Sequence, residues 1–228
     1  NVHPLYQEVA GIEALLASAF LQAQRDGVVR LEMSVDVSLV PRFPDGGRGL
    51  VESLRRVHAA VAPEIDFAPE LGMKRQHDPA QLEAWVTELL ELDYFRSVDL
   101  YGEEHARPVS SFRGVFERAA RAGLARKAHA GEFGTAEQVQ EAVETLGLSA
   151  VQHGVVDGGT AQGQASAVGA APDLVAGVAR GDVLQQADAG AVREPLAMAC
   201  IQPGGVPAIL SVVFAAGRGV RTRAGRSC

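Results

Sequence analysis

The sequence is short of thiols: 228 residues contain two cysteines, Cys200 and Cys228, both late in the chain. So few build neither a disulfide framework nor a cysteine zinc site, and a reducing cytoplasm is the expected compartment. It lacks any apolar run near the ~18 residues that a membrane span needs. No basic segment followed by an apolar stretch opens the chain at Asn1, so no signal peptide is expected. Excess positive charge is missing too. Lys and Arg number 21 against 28 Asp and Glu, for a net charge of -7, and such an acidic surface speaks against nucleic acid or an anionic membrane as partner. Nor does a glycine-rich fingerprint open a helix after any strand, which disfavours dinucleotide binding.

What is present, at 47% hydrophobic residues, suffices for one sizeable core. Val9, Ile12, Leu15, Leu16 and Phe20 recur at helical spacing. Residues 27–37 read as a strand, PRFPDGGRG as a loop, and Leu50, Val51, Leu54 and Val57 mark a second helix. DFAPELGMK reads as a strand, although Pro69 counts against an interior position. Asp78 as N-cap and Pro79 at the first helical position open a helix with the buried stripe Leu82, Trp85, Val86 and Leu89. RSVDLYG is a strand, Phe112, Val115, Phe116 and Ala119 mark a helix stopped at Gly123, and LARKAHA is a strand. Thr135 and Gln138 form a capping box over a helix that Gly147 ends, and LSAVQHG is the fifth strand. Such alternation predicts a parallel sheet covered by helices. A doubly wound sheet and a β/α barrel both satisfy it.

Residues 155–228 differ in character. They are rich in Ala and Gly, hold no lysine, have Phe214 as their one aromatic residue, and end in GRGVRTRAGRSC. They show no sustained period and weak helix potential, for instance at DLVAGVA, and lack the bulk that fills a barrel core. Two regions are expected: 1–154, a partial β/α barrel, and 155–228, a divergent, irregular tail of little order. An open five-stranded sheet would leave Val29, Leu31, Val98 and Leu100 partly uncovered unless the tail or a partner packs there.

In a β/α barrel functional groups sit at the C-terminal ends of strands. Three strand ends here carry polar groups: Gly102 to Glu104, His129 with Glu132, and His153 with Gly154. Taken singly each has a plain reading. A lone histidine at a strand end is ordinarily capped or solvated, Glu132 suits the first turn of the following helix, Glu32 suits a structural role, and His3, His58, His77 and His105 read as solvated. Their coincidence at successive strand ends speaks for a site. An imidazole binds zinc through one ring nitrogen, a neighbouring carboxyl shuttles a proton, and a second imidazole can orient or deprotonate metal-bound water. Gly102 offers a bare backbone N–H for close approach.

VDLYGEE, KAHAGE and VQHGV, in this order, resemble the adenosine deaminase family of metal-dependent amidohydrolases, whose pattern is D-L-x-G-[DE]-E, then H-A-G-E, a helix, and H-G. The strand with Glu32 and the segment LGMKR also resemble that family's second and third barrel strands. The resemblance spans residues 1–155 and implies an α/β fold of TIM type, a (β/α) barrel left incomplete at about five parallel strands. It implies a zinc cofactor with His129 as a ligand. Glu132 would protonate a purine ring nitrogen, His153 would orient the zinc-bound water and help take its proton, and Gly102 would bond a purine nitrogen through its backbone. The implied reaction is hydrolytic deamination of adenosine to inosine and ammonia, with a small-molecule purine nucleoside as partner. A deaminase of adenine or a related aminopurine, and a non-catalytic remnant, are the alternatives. No oligomeric state follows.

Two of the family's segments have no counterpart. The first-strand H-x-H pair is absent, and so are the D-D pair and the C-P-x-S-N segment of the last strands. Only His129 among the family's zinc ligands is visible, whereas catalytic zinc takes three protein ligands in the well-known classes. The expectation is a fragment that begins after the first barrel strand, ends in a tail of shifted reading frame or degenerate sequence, and is inactive as given.

Overall fold

The computed structural model describes residues 7–153 and the backbones of two further strands, Val175–Gly177 and Leu210–Ala216. Five strands, β1 (Val28–Asp36), β2 (Asp66–Lys74), β3 (Ser97–Tyr101), β4 (Ala125–Ala130) and β5 (Ala150–His153), pair in parallel in chain order. Helix α1 (Val9–Arg25) precedes them, and α2 (Gly46–Val61), α3 (Pro79–Leu90), α4 (Arg113–Arg121) and α5 (Ala136–Leu146) occupy the crossovers. The strand order excludes the doubly wound alternative, which reverses about its first strand. The result is a half-barrel, an incomplete TIM-type sheet with covering helices.

The tail contributes to both edges. β6 (Val175–Gly177) adds parallel to β5, and β7 (Leu210–Ala216) adds antiparallel to β1. The weak helix expected at DLVAGVA is therefore corrected: its central residues are extended, with Val175 opposite Ala150. An open parallel edge offers unpaired N–H and C=O groups, and β-branched Val175 suits a strand while Gly177 disfavours a helix. The rest of 155–228, including its expected irregularity, lies outside the described residues. The expected exposure is also corrected for three of four residues. Leu31, Val98 and Leu100 are fully buried because the pleat turns them toward the helices, while Val29 stays 52% exposed.

Each strand separates its two faces by period-2 alternation. Leu31, Met33, Val35, Leu71, Met73, Val98, Leu100 and Val151 pack with Leu16, Phe20, Leu50, Leu54, Leu82, Val86, Phe116 and Val139 of the helices. That single layer between sheet and helices is the hydrophobic core. The intervening strand residues, Glu32, Ser34, Asp36, Glu70, Ser97, Asp99, Lys127 and His129, turn to the other, concave face.

Local chemistry explains the elements. Asp78 Oδ1 accepts from Ala80 N at 2.9 Å and from Gln81 N at 3.3 Å, with Pro79 next to it, so α3 starts as its sequence predicts. The Thr135–Gln138 capping box opens α5, and Gly147 closes it at φ +60°, a left-handed conformation that glycine adopts without penalty. The helix expected around Phe112 begins at Arg113, after a 3₁₀ turn over Val109–Phe112. Pro69 is tolerated inside β2 because its carbonyl accepts from Arg96 N, 2.9 Å away, just before β3 pairing begins at Glu70–Ser97. Its missing N–H thus faces the side where no strand is yet present.

Phe20 is fully buried and meets Phe67 edge-on, ring centroids 4.9 Å apart. Phe20→Ala is expected to cost about 3–5 kcal/mol through lost burial and the remaining cavity. Urea unfolding should show this as a lower midpoint at unchanged slope; a loss under 1 kcal/mol by the same scale would mean that α1 does not hold the sheet.

Candidate functional site

The concave face is polar and largely buried, so its groups must satisfy one another. Lys127 lies between Glu32, which it contacts directly, and Glu70, whose Oε1 is 2.5 Å from the Lys127 ammonium. Ser97 donates to Glu70 Oε1 at 2.7 Å. The Ser34 hydroxyl stands 2.6 Å from Asp99 Oδ2 and 3.1 Å from Glu70 Oε2, bridging the two carboxylates. Burial pushes the Glu70 carboxyl above the usual range, with Lys127 opposing. Burial also works against the Lys127 charge, but the two glutamates outweigh it and raise the ammonium's pKa.

One step toward the C-terminal ends lies the histidine pair. β4 and β5 are parallel neighbours with Ala130 opposite His153, which brings His129 Nδ1 to 3.1 Å from His153 Nε2. Glu132, in the turn after β4, places Oε2 at 3.4 Å from the same His153 nitrogen. His129 is 6% exposed, with Nε2 at 3.3 Å from Asp99 Oδ2. Burial lowers the His129 pKa, but Asp99 more than restores it, and the net direction is upward. His153 goes the other way, pushed down by burial and then by the charge of His129. His153 also sits at φ +71°, a region costly for a residue with a side chain. The backbone strain aims the ring across the strand end rather than along the pleat.

Gly102 follows β3 at the same end of the sheet, at φ +94°. The conformation calls for glycine; the Gln76 side-chain amide that a Cβ would meet is the end of a flexible side chain and can move aside. The structure thus joins His129, Glu132 and His153 in contact and sets Gly102 on the adjoining strand end.

Among the described residues these three form one group whose possible ligand atoms lie within 4.8 Å of one another. His129 fits a zinc ligand in kind, since its Nε2 faces the buried Asp99 carboxylate at 3.3 Å, the arrangement that orients an imidazole to offer its other nitrogen, Nδ1, to a metal. Glu132 and His153 already face each other, which suits proton transfer between them as well as it suits ligation.

Sequence reasoning missed the supports of this site. Asp99, fully buried beside His129, lies within VDLYGEE but had no assigned role. Glu70 and Lys127 escaped notice altogether. The signal was the polar alternation inside otherwise apolar strands, Leu31-Glu32-Met33-Ser34-Val35-Asp36 being the clearest case: a buried parallel strand ordinarily reads as a continuous apolar run. Glu104 was noted only as part of a strand end. Its carboxylate accepts N–H bonds from Gly131, Glu132 and Phe133.

Comparison with known proteins places these residues in context. The family model described as adenosine deaminase matches residues 18–159. A Treponema pallidum protein named as an adenosine/adenine deaminase is 29% identical over 141 residues, covering 62% of this chain and 47% of the relative. An adenine deaminase of Streptomyces coelicolor is 44% identical over 64 residues, 28% of this chain and 19% of the relative. The chain therefore spans about half the length of the Treponema relative or less. The crystal structure of an adenine deaminase from Arthrobacter aurescens superposes with a TM-score of 0.59 at 23% identity, over 65% of this chain and 46% of that one. An amidohydrolase from Burkholderia ambifaria with bound zinc gives a TM-score of 0.56 at 22% identity, over 64% and 42%. These two share the fold.

The Glu70–Lys127 pair yields a signed pH dependence. Glu70's folded pKa is raised, so its contribution to stability is full below the ordinary carboxylate value and is lost as pH rises through the folded one. Removing Lys127 raises that folded value further. Lys127→Met is expected to cost up to about 3–5 kcal/mol at the alkaline end, once Glu70 loses its proton with no partner, and much less in the acid range where Glu70 is neutral. Urea midpoints of variant and parent across pH measure this, and an equal loss at all pH values would rule out the ion pair as the cause.

Proposed function

Because the chain belongs to the adenosine deaminase family, we propose that its strand ends carry the proton-handling half of a hydrolytic aminopurine deaminase site. The observation that carries the reading is the contact of His153 with both His129, at 3.1 Å, and Glu132, at 3.4 Å. In this reading Glu132 gives a proton to a purine ring nitrogen and makes the adjacent carbon electrophilic. His153, whose pKa burial pushes down, is a neutral base that takes a proton from the attacking water. The water oxygen forms the new C–O bond, the proton held by His153 passes to the amino group, and the C–N bond breaks to release ammonia. The Gly102 N–H positions the ring. His129 would be one ligand of zinc, which when bound lowers the pKa of water toward ~7. Asp99 holds the His129 ring from the far side at 3.3 Å.

The substrate is a 6-aminopurine. Adenosine follows from the family pattern, and the adenine deaminases among the relatives give adenine equal standing. A cytoplasmic setting agrees with two cysteines and with the lack, among the described residues, of any helix long and apolar enough to cross a membrane. The sequence holds neither an H-x-H nor a D-D segment. His129 alone does not make a catalytic zinc site, so the 228-residue chain by itself is expected to hold zinc weakly and turn over little.

The test uses the purified 228-residue chain with zinc added, and measures metal content, binding of adenine and of adenosine, and ammonia release. Purine binding is expected, weakened by Gly102→Ala. Failure to bind either purine would overturn the deaminase reading, and stoichiometric zinc with ordinary turnover would overturn the ligand shortfall. Where turnover is measurable, Glu132→Gln should lower kcat by ~10²–10⁴-fold and leave metal content unchanged. Near-normal kcat would return Glu132 to a helix-start carboxylate.

A further inference from the structure

The turn between β4 and α5 is short and carries Glu132, yet its side chains do little to hold it. The Glu132 side chain is 32% exposed and Phe133 is 67% exposed. Helical bonding begins only after Thr135. The backbone is held instead by one carboxylate. Glu104, 6% exposed, accepts from Gly131 N at 3.0 Å through Oε2, and from Glu132 N at 2.8 Å and Phe133 N at 3.1 Å through Oε1. Three successive N–H groups wrapped around an anion form a nest, and charge-assisted bonds of this kind are stronger than neutral ones.

Glu104 is itself anchored. Arg75, 4% exposed, donates from Nη1 to the Glu104 carbonyl at 2.9 Å and from Nη2 to the His129 carbonyl at 3.2 Å. One guanidinium thus ties the segment after β3 to the end of β4, and Glu104 ties the same segment to the turn. The direction in which Glu132 leaves the backbone follows from these bonds.

We propose that Glu104 is the positioning residue for Glu132: its buried carboxylate fixes the turn so that the Glu132 carboxyl faces His153. This rests on the proposed function only in naming Glu132 as the acid. Substrate would touch Glu132, not Glu104.

Nuclear magnetic resonance on the labelled 228-residue chain tests this without turnover, by amide exchange and by cross-relaxation between the Glu132 side chain and the His153 ring. Glu104→Ala is expected to speed exchange at Gly131, Glu132 and Phe133 by roughly tenfold or more, as bonds to a charged acceptor contribute most. Ala128 and Val151 in the strands should keep their protection, and the Glu132–His153 contact should vanish. Glu104→Gln, with one acceptor oxygen on the same stem, should restore the contact and give intermediate protection. Unchanged exchange in Glu104→Ala, or an equal rise in the strands, would overturn the proposal. If the alanine variant does not fold, Glu104→Gln decides: faster exchange confined to the three amides supports it, and none overturns it. Adenine binding by the parent is measured alongside; its absence would sink the deaminase reading while the exchange data still settle what Glu104 holds.

Discussion

The ion pair of Glu70 and Lys127 is the constraint on which the rest of the half-barrel depends. A carboxylate 1% exposed and an ammonium 13% exposed are costly to bury unless each keeps its partner and its remaining hydrogen bonds. Ser97 and Ser34 complete Glu70, and Glu32 completes Lys127. The cluster draws residues from β1, β2, β3 and β4, so it specifies the register of all four. A one-residue slip of any strand would turn these polar groups into the helix layer and the core residues into the concavity. An apolar lumen would tolerate sliding far better; a charged one does not.

From this floor the strand ends follow. With Lys127 opposite Ala150 and Asp99 opposite Lys127 in the ladders, His129 can only emerge two residues later, beside Asp99 and across from Gln152. The rim is built from groups that regular structure disfavours: His153 and Gly102 at positive φ, and a turn held by a buried carboxylate. Strain of this kind persists where surrounding structure over-determines it, and here the register beneath and the Arg75–Glu104 bonds beside it do so. The opposed shifts of His129 and His153, one up and one down, come from the same arrangement: burial opposes charge on both rings, but Asp99 lies 3.3 Å from His129 and outweighs it there, whereas at His153 the charge of His129 adds to burial.

Much of this was legible beforehand because its determinants are local. The Asp78–Pro79 and Thr135–Gln138 starts, the Gly147 stop and the helical stripes each lie within a few residues, and the five parallel strands appear where apolar runs placed them. The three motifs brought His129, Glu132 and His153 together for the same reason: a strand, one helix and the next strand are neighbours in chain and in space. What was not legible depends on partners far apart in sequence. Lys127 contacts Glu32 across 95 residues and Arg75 reaches His129 across 54. No spacing rule announces such pairs. The tail misled in a different way: in Val175–Gly177 only Val175 favours a strand, and the segment is extended through its pairing with β5.

The division between proton-handling groups and metal ligands has the same origin. The groups that move protons in the proposed reaction, Glu132 in the turn after β4 and His153 at the end of β5, lie within one continuous stretch of chain. Of the three donors that converge within 4.8 Å at these neighbouring strand ends, Glu132 and His153 serve proton transfer in the proposed reading and His129 is left to a metal, so further ligands would have to come from other strands. In this chain the outer edge of β1 is paired antiparallel with β7, whereas a closed (β/α) barrel continues in parallel at that edge. In the proposed reading the half-barrel thus carries an acid, a base and, in His129, one donor toward a metal. In that reading the acid and base come from sequence neighbours, whereas further metal ligands would come from strands elsewhere in a barrel.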